Sequence, residues 1–270
     1  MIATVLIDNI TKNELASEWG LAIFIEYDGH KILLDAGTTG KFLENAQALG
    51  IDVGEAEVGV LSHAHYDHAD GMAAFFATNE DAAFYLRDTC RENCYHKKWI
   101  FRKYVGIRKG YLTGYRERIR LVSGDYEIFP GVTLVPHKTP GLEEMGRRAG
   151  MYVKKDRRYC PDCFDHEQSL VLDTDKGLVI FNSCSHGGAD NIIREISETF
   201  PGRNIHALIG GFHLYESSET EVRKLAAGIR ETGIEKIYTG HCTGKRAFDI
   251  LRQELGEGVI QLYTGLRIQI

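Results

Sequence analysis

The chain has 270 residues, 43% of them hydrophobic, which is enough for one large domain or two small ones, and no low-complexity segment argues for disorder. Its formal net charge of −6 argues against a general nucleic-acid or membrane surface, and no apolar run approaches the roughly 20 residues that span a bilayer. The opening Met1-Ile2-Ala3-Thr4-Val5-Leu6-Ile7 enters a strand pattern with no basic region or cleavage site, so the six cysteines read as reduced thiols or metal ligands, and the expected location is cytoplasmic.

Residues 3–7, 21–27 and 31–35 read as strands, the last two joined by Asp28-Gly29, which has hairpin turn chemistry. Thr38 or Thr39 then caps a helix over 40–49, with Phe42, Leu43, Ala46 and Leu49 on one face and Gly50 ending it. Val58-Gly59-Val60-Leu61 is a short buried strand, and a new helix opens at Asp70-Gly71. Between them, on a strand-to-helix turn, stand His63, His65, Asp67 and His68. His63 and His65 are two apart on extended chain and project to one side, where they can share one ion. Asp67 and His68 face elsewhere and can hold a second. Imidazole and carboxylate together suit zinc, manganese or iron. The alternative is a set of polar residues capping the helix in a surface loop, which would not require four ligand types in this order.

After a strand at 83–86 the alternation of strands and helices breaks over about 88–120. Cys90 and Cys94 lead there into a basic, aromatic stretch with nine Lys or Arg between 97 and 120 and one acid, Glu117. It reads either as a solvated face or as a cap that attracts an anion. Strands resume at 120–122, 126–129 and 132–135. A second irregular segment, 143–166, carries six more basic residues and then Cys160 and Cys163. The pairs Cys90/Cys94 and Cys160/Cys163 have the spacing of a four-thiolate zinc clip that would tie the two segments together, with unrelated thiols as the alternative. Strands at 169–173, 177–181, 207–209 and 236–238 alternate with helices at 190–200, 217–230 and 245–255. His186, His213 and His241 all lie just past strands, on the edge where α/β sheets place their sites. For His213 a ligand role, the support of a ligand and direct contact with substrate stay open. His30, His96, His137, His166 and His206 have no such placement and default to surface or packing.

The H-x-H-x-D-H run resembles the signature of the metallo-β-lactamase-fold hydrolases. Ile32-Leu33-Leu34-Asp35-Ala36-Gly37 is similar to the turn that precedes the signature, and Asn182-Ser183-Cys184-Ser185-His186, Gly210-Gly211-Phe212-His213-Leu214 and Gly240-His241-Cys242-Thr243-Gly244 follow it in order. Together the last three resemble one subgroup, which comprises metal-dependent hydrolases and 7,8-dihydropterin-6-methyl-4-(β-D-ribofuranosyl)-aminobenzene-5′-phosphate synthases. The resemblance implies a four-layer αββα sandwich as a single domain over 1–270, with insertions at about 88–120 and 143–166. It also exposes two departures. Many members read "TPGH" where this chain has Thr139-Pro140-Gly141-Leu142, and Leu142 cannot ligate. Where members commonly place a bridging aspartate, Cys184, Ser185 and His186 compete; His186 is preferred because imidazole serves zinc, iron or manganese alike.

The expected sets are therefore His63, His65 and His186 for a first ion and Asp67, His68 and His241 for a second, with zinc preferred and Mn²⁺ or Fe²⁺ as alternatives. Asp35 is expected to brace a ligand histidine or the signature loop. The expected chemistry is hydrolysis, or a related lytic or transfer reaction, by a hydroxide generated on the metal, with Asp67 orienting it and His213 near the reacting group. The expected substrate is a small anionic, phosphate-bearing metabolite with an aromatic part, drawn by the basic segments. A di-iron redox protein and a metal-containing ligand sensor that turns nothing over are the alternatives from other classes.

Overall fold

The structure, a computed structural model, describes residues 1–270. Its strands form two seven-stranded sheets and one of four. The first sheet runs in the order Arg267–Gln269, Ile2–Ile7, Ala22–Tyr27, His30–Leu34, Val58–Val60, Ala83–Arg87, Ile119–Val122. The second runs Val259–Gln261, Lys236–Thr239, Ile205–Ile209, Gly177–Phe181, Gln168–Thr174, Val132–Pro136, Tyr126–Phe129. The expected hairpin turn is present, with Asp28 and Gly29 both at positive φ, the signature of the turn that matches strand twist.

The period-two alternation of side chains decides how these layers stack. Ile23, Ile25, Ile32 and Leu34 of the first sheet pack with Leu170, Leu172, Val179, Phe181, Ala207 and Ile209 of the second, in one cluster between the sheets. The intervening residues of the same strands, Ala22, Phe24 and Leu33, face outward under the helices Lys41–Ala48 and Met72–Thr78. On the far side Val171, Leu178, Ile180 and Leu208 pack under Ala189–Thr199, Glu219–Thr232 and Lys245–Leu255. Strands buried on both faces read as continuous apolar runs, and each fully buried aromatic is worth several kcal/mol; truncating Phe181 to Ala would cost about 3–5 kcal/mol. The result is the expected αββα sandwich. No helix is long and apolar enough to cross a membrane.

The two segments that looked irregular form strands. Cys94–Lys98 pairs with Phe101–Tyr104, Met151–Lys155 pairs with Arg158–Pro161, and the two hairpins join through Val153 opposite Cys94. In this small sheet only Cys94, Met151 and Val153 are buried, and the strands Phe101–Tyr104 and Arg158–Pro161 bury none of their residues, so too few inward apolar side chains remain to give the alternation by which strands are recognised. Its turns, at Trp99 and at Asp156-Arg157, take positive φ without glycine.

Candidate metal centre

Of the nine non-glycine residues at positive φ, four sit in the hairpin turns and five, Asp35, Phe164, Ser185, His213 and His241, ring one end of the two large sheets. Such backbone costs energy and persists where the surroundings enforce it. Gly71 is part of that enforcement, since a Cβ there would lie 1.9 Å from the Ala36 carbonyl oxygen. The signature loop is thereby held against the turn that carries Asp35.

Asp35 is fully buried and organises the loop. Its Oδ1 accepts the Ser62 backbone N–H at 2.7 Å, and its Oδ2 lies 2.7 Å from both the Ser62 hydroxyl and His68 Nδ1. Ser62 Oγ is in turn 2.8 Å from His63 Nδ1. With Nδ1–H donating in both rings, His63 and His68 each present a bare Nε2 to the site, the arrangement that fixes a ligand tautomer.

His63, His65 and His186 converge, with ring centroids 4.6–5.0 Å apart and ligand atoms within 4.8 Å of one another. His186 is aimed by the Ser185 kink, by Phe164 stacked on its ring at 4.7 Å, and by Glu167, which accepts the backbone N–H groups of His186 and Gly187. Glu167 is itself held by His137, whose Nε2 lies 2.5 Å from it while Nδ1 lies 3.1 Å from Glu195. His137 is thus a buried brace for the His186 turn, on the packing side of the surface-or-packing default that its sequence position gave it.

Asp67 Oδ2 lies 3.7 Å from His68 Nε2 and 3.5 Å from His241 Nε2, which brings the second set together. Cys184 stands between the sets. Its Sγ is 3.3 Å from His68 Nε2 and 3.2 Å from Cys242 Sγ, and it also groups with His63 and with His186 and His213. The thiol therefore faces both sets, beside the preferred His186. Cys242, which the sequence did not single out, accepts the His213 backbone N–H. His213 packs its ring 4.3 Å from that of His186.

These residues fit a cation. His63 Nε2, His65 Nε2 and both ring nitrogens of His186 and of His241 are buried without any hydrogen-bond partner, an expensive state for polar atoms unless an ion accepts their lone pairs. Burial, with neighbouring imidazoles adding to it, drives His63 and His186 well below the usual histidine range, and burial takes His65 to about 3. All three are thus neutral, the form that ligates.

The four cysteines do not form the expected clip. Cys94 and Cys160 both lie opposite Val153, on strands to either side of it. They are two strand spacings, about 10 Å, apart, whereas thiolates sharing a zinc ion lie about 4 Å apart. Part of the basic charge in the cap segments is also used locally. Arg102 lies over Tyr159, Arg108 over Tyr111, Lys109 over Tyr104 and Arg118 over Phe76, and Arg118 further donates to the carbonyls of Asn79 and Ala82. Lys103 is different. It pairs across the hairpin with His96, and both line a cavity of about 240 Å³ above the metal residues, walled by Trp19, Tyr66, Met151 and Tyr215. Through His186, His213 and Tyr215 this cavity adjoins one of about 670 Å³ that runs towards the helices Ala189–Thr199 and Glu219–Thr232.

Comparison with known proteins agrees with this architecture. Residues 20–146, which include the signature, match the model of the metallo-beta-lactamase superfamily. A 7,8-dihydropterin-6-methyl-4-(beta-D-ribofuranosyl)-aminobenzene-5'-phosphate synthase of Methanocaldococcus jannaschii is 26% identical, over 92% of this chain and 89% of its own. The crystal structure of Tm1679, a metal-dependent hydrolase of the beta-lactamase superfamily, superposes with a TM-score of 0.84 at 30% identity, covering 100% of this chain and 99% of that one. A diphosphatase of the PhnP family shares the fold at a TM-score of 0.57 and 13% identity, over 100% and 97% of the two chains. The fold, the signature segment and the full-length 30% match to Tm1679 together show that the chain belongs to the metallo-β-lactamase superfamily.

Proposed function

We propose that this chain is a metal-dependent enzyme that cleaves a small phosphate-bearing metabolite with a flat aromatic portion. The observation that carries the reading is the cavity in which Lys103 and His96 face Asp67, His65 and His186, with Trp19 and Tyr215 also in its wall. His63, His65 and His186 would hold one ion and Asp67, His68 and His241 a second, with Cys184 available to both; zinc suits this mixture of nitrogen, oxygen and sulfur donors. When bound, such ions acidify a water and draw charge from a substrate oxygen.

The chain's own residues do the rest. Lys103 neutralises an anionic group entering beside the histidines, as a point charge with rotatable donors. Trp19 and Tyr215, whose rings meet edge-on at 5.6 Å and are each about 40% exposed, offer faces to a planar ring. Asp67, ionised beside His68 and His241, can accept a hydrogen bond from the attacking water with whichever oxygen is not ligating. His213 lines both cavities, where its ring can hand a proton to a departing group whose remainder lies in the larger space.

The named synthase among the relatives supports a second outcome, transfer of the cleaved group to an acceptor other than water. The two are separated by incubating metal-loaded protein with aryl and pterin-like phosphoesters in ¹⁸O-labelled water, with and without an aromatic amine. Label in the product supports hydrolysis, and an amine adduct without label supports transfer. Ligand binding with no turnover of any phosphoester, by protein carrying its full metal complement, would sink the enzymatic reading and favour a sensor.

A further inference from the structure

Two thiols meet at the end of the second sheet although the strands that precede them are not neighbours. Cys184 follows the strand Gly177–Phe181, Cys242 follows Lys236–Thr239, and Ile205–Ile209 lies between the two. Two strand spacings put the outer pair about 10 Å apart, yet the sulfurs stand 3.2 Å from each other. The loops close over the end of the middle strand, where Gly210 and Gly211 carry no side chain to obstruct them. A Cβ on Gly210 would lie 1.9 Å from the Asn182 carbonyl oxygen, and one on Gly211 would lie 2.5 Å from Cys242 Sγ. The backbone is thus shaped to admit the sulfur pair.

Both side chains are buried, and both line the cavity of about 240 Å³ above the metal residues, which has room for a molecule as small as hydrogen peroxide. The His213 backbone N–H donates to Cys242 Sγ at 3.2 Å and helps to hold that sulfur beside its partner. A disulfide bond is about 2.0 Å long, so the two sulfurs need to approach by only about 1 Å more. A thiol with a second thiol in reach ends its oxidation as a reversible disulfide, where a solitary one goes on to irreversible acids. In a reducing compartment such pairs are transient and redox-sensing.

We propose that Cys184 and Cys242 form a reversible disulfide when the centre carries no metal, and that this bond and a bound metal ion exclude each other. The oxidant is a hydroperoxide. One thiol takes an oxygen atom from it and becomes a sulfenic acid, releasing water or an alcohol. The second sulfur then attacks the first, and the hydroxyl leaves with the second thiol's proton as water. Two electrons pass from the thiol pair to one peroxide, and a dithiol reductant returns them. Cys184 Sγ lies 3.3 Å from His68 Nε2 and groups with ligands of both sets, and Cys242 groups with Cys184 and His241. Metal takes the thiolate, so a sulfur tied in a disulfide is lost to the ion, and a sulfur held by the ion is lost to the disulfide. The exclusion rests on the centre binding metal, as proposed above, and not on which reaction follows.

The test exposes full-length wild-type protein, either zinc-loaded or stripped by a chelator, to hydrogen peroxide, followed by alkylation, digestion without reductant and mass spectrometry. Stripped protein should yield a peptide cross-linked between Cys184 and Cys242, lighter by two hydrogen atoms than the two thiol peptides together and abolished by dithiothreitol. Zinc-loaded protein should yield none while its zinc stays bound. The oxidised chain should bind zinc at least about 10-fold more weakly than the reduced one, the loss that even a residue supporting a ligand causes, and dithiothreitol should restore it. Stripped protein that gives only sulfinic or sulfonic acids, or no change, at these residues overturns the pair. A cross-link that forms equally fast in fully loaded protein, or undiminished zinc affinity after oxidation, overturns the exclusion. Reduced protein that binds no zinc sinks the metal reading and the exclusion with it, whereas the cross-linked peptide by itself decides the pair. Turnover plays no part, so failure here leaves the enzymatic reading standing.

Discussion

Asp35 Oδ2 lies 2.7 Å from His68 Nδ1 in a region closed to solvent, and the same carboxylate holds both the backbone and the hydroxyl of Ser62. One side chain thus sets the tautomer of His68 directly and that of His63 through Ser62. Asparagine in its place keeps the size but presents one acceptor oxygen for three donors. Asp35→Asn should therefore weaken zinc binding by about 10–100-fold, the usual consequence of losing such support, with the fold retained. Competition against a chromogenic chelator reads this directly. Unchanged affinity would mean that the loop positions these rings without Asp35.

Cys184 faces both histidine sets where other superfamily members are expected to carry a carboxylate. If its sulfur ligates, Cys184→Ser should cost more zinc affinity than Asp35→Asn does. Cobalt-loaded wild type should then show a near-ultraviolet thiolate band that is weaker in Cys184→Ser, and Cys184→Asp should recover part of the affinity. A cobalt spectrum identical in wild type and Cys184→Ser would reduce the thiol to a packing partner of Cys242, 3.2 Å away.

Lys103 provides the test of substrate charge. A charge-assisted hydrogen bond is worth roughly 1.5–3 kcal/mol, so Lys103→Ala should raise KM for a phosphate-bearing substrate about 10–100-fold, with kcat changed less. It should also flatten the dependence of KM on salt. Lys98→Ala, at the exposed end of the partner strand in the same hairpin, should do neither. Equal effects of the two substitutions would mean that the basic hairpin acts only as a diffuse field.

How far the sequence reveals this site depends on chain distance. His63, His65, Asp67 and His68 are contiguous, and Asp35, His186, His213 and His241 each follow a strand with a clear apolar pattern, so ligand type and placement coincide. Lys103 and Cys242 carry no such signal. Lys103 gains its role only from the pairing that sets it opposite His96 over the site. Cys242 adjoins a histidine that draws the attention, and its contact with Cys184 spans 58 residues. The four cysteines mislead for the converse reason: their spacing is right, but strand pairing puts Val153 between Cys94 and Cys160.

His137 gives the last prediction, on stability and pH. Burial opposes its charge, but hydrogen bonds and attraction from Glu167 and Glu195 outweigh burial and raise it to about 9 from an ordinary 6.5. A raised histidine favours the folded state only while protonated, so its contribution is complete below about pH 6.5 and fades as pH climbs through about 9. The shift corresponds to about 3 kcal/mol. His137→Gln removes the positive charge and leaves Glu167 with weaker partners. The variant should be less stable than wild type by about that amount at pH 6, and the gap should narrow by pH 9.5, as read from urea unfolding at several pH values. Glu167 also holds the backbone of His186 and Gly187, so zinc affinity of the variant should fall in parallel. A stability gap that stays constant from pH 6 to 9.5 would show that His137 is neutral in the folded protein, and that its ring braces the turn by shape alone.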